Sequence, residues 1–204
     1  MLLQYSPQSR KGRGRGVPGR ASPDFWVSDR LAAQMGWAQK DNQVCLAHLI
    51  RDANYAIDAG DDAFAPALRK LLKRACAIAR RRPGLADATL RAYAQRLNVK
   101  LDALLRLTPT HAAGVKLKQA IAGCRRHSFV FLEDRAIPAT NNASEQALRP
   151  CVVFRKVTNC FRSEWGATLY ADIRSVVETA RRNAVGAFQA IRITLAPQPL
   201  ADTG

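Results

Sequence analysis

Thr140-Asn141-Asn142-Ala143-Ser144-Glu145-Gln146-Ala147-Leu148-Arg149-Pro150 is the stretch on which the reading of this chain turns. Asn142 is a good N-cap, because its side-chain oxygen accepts a backbone N–H of the first helical turn. Glu145 follows three residues later, where a capping box places its acid. The pattern predicts a helix start here and leaves two readings of Glu145 open. It is either the acid of the capping box, which the local pattern alone favours, or a carboxylate held out for chemistry.

Downstream, Val152, Val153 and Phe154 read as a strand or an extended connector. Leu169, Ile173, Val176, Val177 and Ala180 mark a helix, Phe188, Ile191 and Leu195 a last one, and the tail from Pro197 reads as loose. Upstream, Ser128 to Leu132 is a short apolar run before a turn at Ile137-Pro138. Before it come three apolar stripes with helical period. Phe64, Leu68, Leu71, Leu72, Ala75 and Ile78 end at Arg82-Pro83-Gly84. Leu90, Tyr93, Leu97, Leu101, Leu104 and Leu105 end at Thr108-Pro109. Leu117, Ile121 and Cys124 form the third. Short connections predict antiparallel packing of these helices. Arg69, Lys70, Lys73, Arg74, Arg80, Arg81 and Arg82 fall on an outer face, which is either simply solvated or a track for DNA.

The stretch Asp24-Phe25-Trp26-Val27-Ser28-Asp29 predicts a short buried strand ending at Asp29. Gln43 to Ile57 reads as a strand end running into a helix, and Asp58 to Asp62 as a turn that supplies an N-cap. Ahead of all this, Arg10, Lys11, Arg13, Arg15 and Arg20 alternate with Gly12, Gly14, Gly16 and Gly19, a flexible basic arm. The expected organisation is therefore an arm over residues 1–22, one domain over 23–196 with a helical insertion at about 61–127, and a loose tail over 197–204.

Over 204 residues, Lys and Arg number 32 against 16 Asp and Glu, a net charge of +16, which makes nucleic acid the first polyanion to consider. An anionic membrane or an acidic protein is a weaker expectation. A hydrophobic content of 48% is ordinary for a globular protein and argues against global disorder. No run approaches a membrane span, and Met1-Leu2-Leu3 is too short for a signal peptide, so the chain reads as cytoplasmic. Cys45, Cys76, Cys124, Cys151 and Cys160 form an odd set without a CxxC pair and read as reduced thiols, several of them in the core. Cys45 and His48 have the spacing of half a zinc site, but no second half follows.

A nucleophilic triad has no local support, and no phosphate-cradling GxxxxGK loop occurs. Carboxylates remain. Asp29 stands at the end of a buried strand, where a lone acid is costly unless it is solvated or binds a metal.

Thr140 to Pro150, read with Phe154-Arg155-Lys156, resembles the asparagine-pair, glutamate and Ala-Leu-Arg-Pro motif of the sixty-six family of insertion-sequence transposases, which are of the DDE type. Phe161-Arg162-Ser163-Glu164-Trp165-Gly166-Ala167, with Leu169-Tyr170 and the helix from Ser175 to Ala180, is similar to the closing segment of that family. Trp26-Val27-Ser28-Asp29-Arg30 and Val44-Cys45-Leu46-Ala47-His48-Leu49-Ile50-Arg51 look like its second-aspartate strand and the Cys/His/Arg element after it. The resemblance covers roughly Pro23 to Leu195. Thr140 stands where the family usually has an Asp.

The resemblance implies a mainly α fold with a small sheet (α+β), a partial ribonuclease-H-like domain with the helical insertion between the second Asp and the Glu. It assigns Asp29 and Glu145 as catalytic residues and ligands of Mg2+ (or Mn2+), and Asn142, Arg149, Arg155, Lys156 and Arg162 as DNA-binding residues. The implied activity is strand cleavage and strand transfer. The partners are double-stranded DNA, as element ends and as target, and further copies of the chain in a DNA complex; no membrane is expected. One carboxylate is not accounted for. The family's first aspartate comes from a strand well upstream of the second, and here 28 residues precede Asp29, with Asp24 their sole acid. Asp24 and Asp29 would face opposite ways on one strand. The sequence thus suggests a copy shortened at its front, impaired in catalysis, with an arm foreign to the ancestral protein. A non-catalytic basic helical DNA-binding protein or regulator of transposition is the alternative, and an RNA-binding protein rests on charge alone.

Overall fold

Phe25-Trp26-Val27-Ser28 and Asp41-Asn42-Gln43-Val44 form two short strands, β1 (Phe25–Ser28) and β2 (Asp41–Val44), paired in parallel with Phe25 opposite Asp41 and Ser28 opposite Val44. The structure is a computed structural model and describes residues 24–30 and 41–196. The basic arm and the tail from Pro197 lie outside the described residues. The described chain divides into two compact units, residues 24–143 and residues 144–196, and each is taken by itself.

The first unit is a helical layer set on the strand pair. Helix α1 (Leu46–Asp58) buries Leu46, Leu49, Ala53 and Ala56, a three- and four-residue spacing that keeps one face inward. Helix α2 (Phe64–Arg81) buries Phe64, Leu68, Leu71, Leu72, Ala75 and Ile78 and tolerates Pro66 because a first-turn N–H has no helical acceptor. Helix α3 (Asp87–Leu104) buries Leu90, Leu97 and Leu101, and α4 (Ala112–Cys124) buries Leu117, Ile121 and Cys124. The stripes predicted from sequence are thus the core faces. The apolar run Ser128 to Leu132 is wholly buried, with a turn of 3-10 helix over Val130–Leu132.

Polar side chains lock this layer. The buried Gln43 donates from Nε2 to the Ser128 carbonyl (3.0 Å) and accepts at Oε1 from the Phe131 N–H (2.9 Å), so one amide ties β2 to the segment that closes the unit. The Arg82 guanidinium donates to the carbonyls of Asp134 (3.1 Å), Arg135 (2.6 Å) and Ile137 (2.7 Å), and also to that of Phe131. Arg135 answers by donating to the Arg82 carbonyl (2.8 Å) and the Asp87 carboxylate (2.6 Å). Arg125 makes a two-pronged pair with Asp102 (2.7 and 2.6 Å).

The turn expected at Asp58 to Asp62 does supply a cap. It is Asp61, fully buried, whose Oδ2 accepts from the Ala65 N–H (2.6 Å) in the first turn of α2. Its Oδ1 accepts from the Thr110 N–H (2.8 Å) and hydroxyl (3.2 Å), in the loop before α4. Gly114 of α4 lies against the same carboxylate, where an added Cβ would meet the carboxyl carbon at 2.5 Å.

The second unit comprises α5 (Asn142–Val157), α6 (Glu164–Arg182) and α7 (Ala187–Leu195), with the unit boundary in the first turn of α5. Two expectations are corrected here. Val152, Val153 and Phe154 are neither strand nor connector: α5 runs through Pro150, which forfeits one backbone bond to the Gln146 carbonyl without ending the helix. And α5 begins at Asn142 itself, so Asn142 is a helical residue rather than the cap before it. Among the described residues no helix is long and apolar enough to cross a membrane. All five cysteines are free thiols, with Cys45 and Cys124 buried.

Burial works to raise the Asp61 pKa, but the hydrogen bonds from Ala65, Thr110 and His111 prevail and hold it below the usual carboxylate value. A carboxylate with a depressed folded pKa stabilises the fold above its unfolded pKa and loses that contribution as pH falls through the folded value. Thermal melts should therefore show Asp61→Ala destabilised by roughly 2–3 kcal/mol near neutral pH, the cost of stranding buried donors of a charged acceptor. The gap to wild type should narrow as pH drops below about 4. Gly114→Ala, which presses on the same carboxylate, should cost about 1–3 kcal/mol. Equal stability of Asp61→Ala and wild type at neutral pH would remove Asp61 as the joint between α2 and α4.

Candidate functional site

Helix α5 presents two different faces. Ala147, Cys151 and Phe154 share one face, spaced by four and three residues; Ala147 is buried, and Cys151 (half-buried) and Phe154 meet Tyr170 of α6. The Phe154 ring stacks on Tyr170 (centroids 4.4 Å apart) and on Phe161 (5.3 Å), and Phe161 meets Tyr170 at 5.2 Å, a trio of rings that fixes α5 on α6. Burial, with the neighbouring Cys151 thiol, pushes the Tyr170 hydroxyl pKa up. A shallow recess of about 350 Å³ opens between these rings, Leu169, Ile173 and Arg162.

The opposite face carries the residues predicted to act. Asn142, Glu145, Arg149, Val152 and Lys156 recur every three or four residues and are all exposed, so they form one stripe along α5. Glu145 lies in the first helical turn, where the helix dipole favours an acid. Arg155 stands off this stripe. Its carbonyl accepts from the Cys160 N–H (2.8 Å), while the Phe154 carbonyl accepts from the Thr158 N–H (2.9 Å). Asn159 (φ 56°) and Cys160 (φ 77°) take left-handed backbone to make this exit, and Arg162 follows them, exposed. Ser163 then starts α6 by accepting from the Gly166 N–H at its Oγ (3.2 Å).

Asp29 belongs to the first unit. It is exposed, directly after β1, and the chain turns there through Arg30 at φ 73°. The Arg30 N–H donates back to Ser28 Oγ (3.3 Å), and its guanidinium pairs with Asp52 of α1. Exposure relieves the desolvation that a buried strand-end acid would suffer. Of the predicted residues, then, Asn142, Glu145, Arg149 and Lys156 share one helix face, Arg155 and Arg162 flank the turn after it, and Asp29 lies in a separate unit. Carboxylate oxygens suit a hard divalent cation, but among the described residues no three His, Cys, Asp or Glu converge as a metal site. The aromatic trio of Phe154, Phe161 and Tyr170 was missed in the sequence because Phe154 was read as strand or extended connector; the 3-4 spacing of Ala147, Cys151 and Phe154 carries the helical signal.

The family model for the Transposase IS66 family matches residues 5–169. The chain belongs to the IS66 transposase family. The match takes in β1, β2, α1 to α5 and the start of α6, and with them the two motifs around Asp29 and Glu145. It begins at residue 5, so most of residues 1–22 falls within the family's span. No curated protein and no solved structure matches the chain.

Because the ring trio holds the IS66 motif helix on α6, Phe154→Ala should loosen the second unit by roughly 1–3 kcal/mol, two aromatic pairs being lost. Hydrogen exchange should show faster exchange across α5 and the start of α6, with α1 to α4 unchanged. Equal protection of α5 in wild type and variant would mean that the rings do not hold it.

Proposed function

We propose that this IS66-family chain cuts and joins DNA strands in transposition, with Asp29 and Glu145 offering carboxylate oxygens to Mg2+ or Mn2+. The observation that carries the reading is the family match over the motif that contains Glu145, together with that residue's exposure on a helix face shared with Arg149 and Lys156. A divalent cation, when bound, polarises a phosphate oxygen and eases loss of a proton from an attacking water or 3′-hydroxyl. The chain's own residues supply binding and orientation. Arg149 and Lys156, two helical turns apart on one stripe, grip phosphates on either side of the strand to be cut, Arg149 by its two-pronged fork and Lys156 as a point charge. Asn142 adds amide hydrogen bonds at the head of the stripe. Arg155 and Arg162, beside the turn into α6, hold the flanking backbone, contacts that position DNA without reading its sequence.

In this reading the parallel pair β1 and β2 is part of a ribonuclease-H-like sheet that carries Asp29 at a strand end, and α2 to α4 are the helical insertion between Asp29 and Glu145. The partners are element ends and target duplex, worked on by several copies of the chain. Large apolar side chains left exposed in the second unit, Trp165 at 72% and Phe188 at 81%, support association with another copy.

Nicking and strand transfer on duplexes that carry the element's ends, with Mg2+ or Mn2+, test the proposal. Activity should fall at least about a hundredfold in Glu145→Gln and in Asp29→Asn, with duplex binding retained. Cleavage that survives both substitutions sinks the assignment of the carboxylates. Binding by the wild-type chain without any cleavage would favour the alternative of a non-catalytic DNA-binding regulator.

A further inference from the structure

The seven cations predicted on the outer face of α2 separate into two kinds. Arg69 is engaged with Asn54 Oδ1 (3.3 Å), and Arg82 is consumed by backbone carbonyls of the segment that closes the unit. Lys70, Lys73, Arg74, Arg80 and Arg81 are different. All five are exposed, and none makes an ion pair or side-chain hydrogen bond with the described residues. Helix α2 contains no acidic residue at all, and its opposite face is fully spent on the core.

This arrangement costs the helix something. Lys70 and Arg74 are four residues apart, and Lys70 and Lys73 three, so like charges sit one turn from each other and repel. Arg80 and Arg81, in the last turn, are accounted for by the helix dipole, which favours cations there. The dipole does not account for Lys70, Lys73 and Arg74, which lie in the middle. A merely solvated face of this kind ordinarily mixes in acids, as α3 does with Asp87 and Asp102 and α6 with Glu164, Asp172 and Glu178. From Lys70 to Arg81 the stripe extends roughly 16 Å at the helical rise, a length over which duplex DNA carries about nine phosphates.

We infer that the Lys70, Lys73, Arg74 and Arg81 face of α2 is a second DNA-binding surface, one that holds duplex phosphates independently of the α5 stripe. The inference rests on the proposed function only in taking duplex DNA as the partner. The face has cations at Lys70, Lys73 and Arg74 and again about two turns on at Arg81, with no apolar or amide side chain among its exposed residues that would recognise a base edge. It therefore grips backbone, adds affinity without sequence preference, and makes that affinity strongly salt-dependent.

The test is the slope of log binding constant against log salt for the full chain on a random-sequence duplex. In the fourfold variant Lys70→Gln, Lys73→Gln, Arg74→Gln, Arg81→Gln, the slope should flatten by about 3–4, close to 0.9 for each lost phosphate contact. Its melting temperature should be unchanged or higher, because like charges have been removed, so loss of fold does not confuse the result. A control with the same change in net charge, Arg91→Gln, Arg96→Gln, Lys100→Gln, Arg106→Gln on and after α3, should keep most of the wild-type slope. Glu145→Gln should leave the slope unchanged, which separates this surface from the cleavage chemistry. The inference is overturned if the α2 variant keeps the wild-type slope, or if the α3 control flattens it equally, since net charge alone would then explain binding. A double-stranded RNA bound more tightly than DNA, with the same dependence on the four α2 residues, would also overturn it by making RNA the partner.

Discussion

The first unit is organised around one buried carboxylate. Asp61 takes the Ala65 N–H at the head of α2 and the Thr110 N–H and hydroxyl at the entrance to α4, while Gly114 leaves the room that the carboxylate fills. A charge in that position is tolerable because donors surround it; with any of them missing, its desolvation would be unrepaid. Once α2 is pinned at its head, the apolar stripe from Phe64 to Ile78 has one inward direction, and the Lys70 to Arg81 stripe has to face out. At the other end of α2, Arg82 fixes the helix exit to the carbonyls of residues 134–137. Two polar joints thus set the direction in which a row of cations is displayed.

Several other cations are likewise spent within the fold. Arg125 is spent on Asp102, Arg135 on Asp87, and Arg174 and Arg181 on Glu178, at 2.6 and 3.0 Å. The net charge of +16 is therefore less informative than its distribution. Cations that answer an acid or a carbonyl build the fold, and an unpaired row with no acid on its helix, as on α2, is the place where an outside partner is proposed.

How much of this was legible in the sequence depended on whether the deciding contact was local. Stripes of period 3.6 belong to single helices, so α2, α3 and the core they share could be read directly. The Asp58 to Asp62 turn was visible as a cap, but its reach to Thr110 spans 49 residues, and no local pattern encodes it. Val152-Val153-Phe154 misled because β-branched and aromatic residues after a proline resemble a strand. What decides for helix is Phe154 against Tyr170 and Phe161, a contact made across the next turn. At the site, Glu145 and the residues expected around it came from the resemblance of the motif, not from any spacing. Which of Arg155 and Lys156 joins that face follows only once residues 152–156 are known to be helical.

The two basic helix faces differ in a way that bears on what each can do. On α5 a single acid, Glu145, lies among Asn142, Arg149 and Lys156, about one turn from Arg149 and about three from Lys156. Such a face attracts a phosphate while keeping one carboxylate beside it, an arrangement with no advantage for mere adhesion, since the acid repels the same phosphate. On α2 no acid interrupts the row. That face maximises attraction and offers nothing that could take part in a reaction. The helix dipole already favours an acid in the first turn of α5, so the proposal that strand chemistry belongs to α5, and not to the more strongly basic α2, rests on the family motif around Glu145.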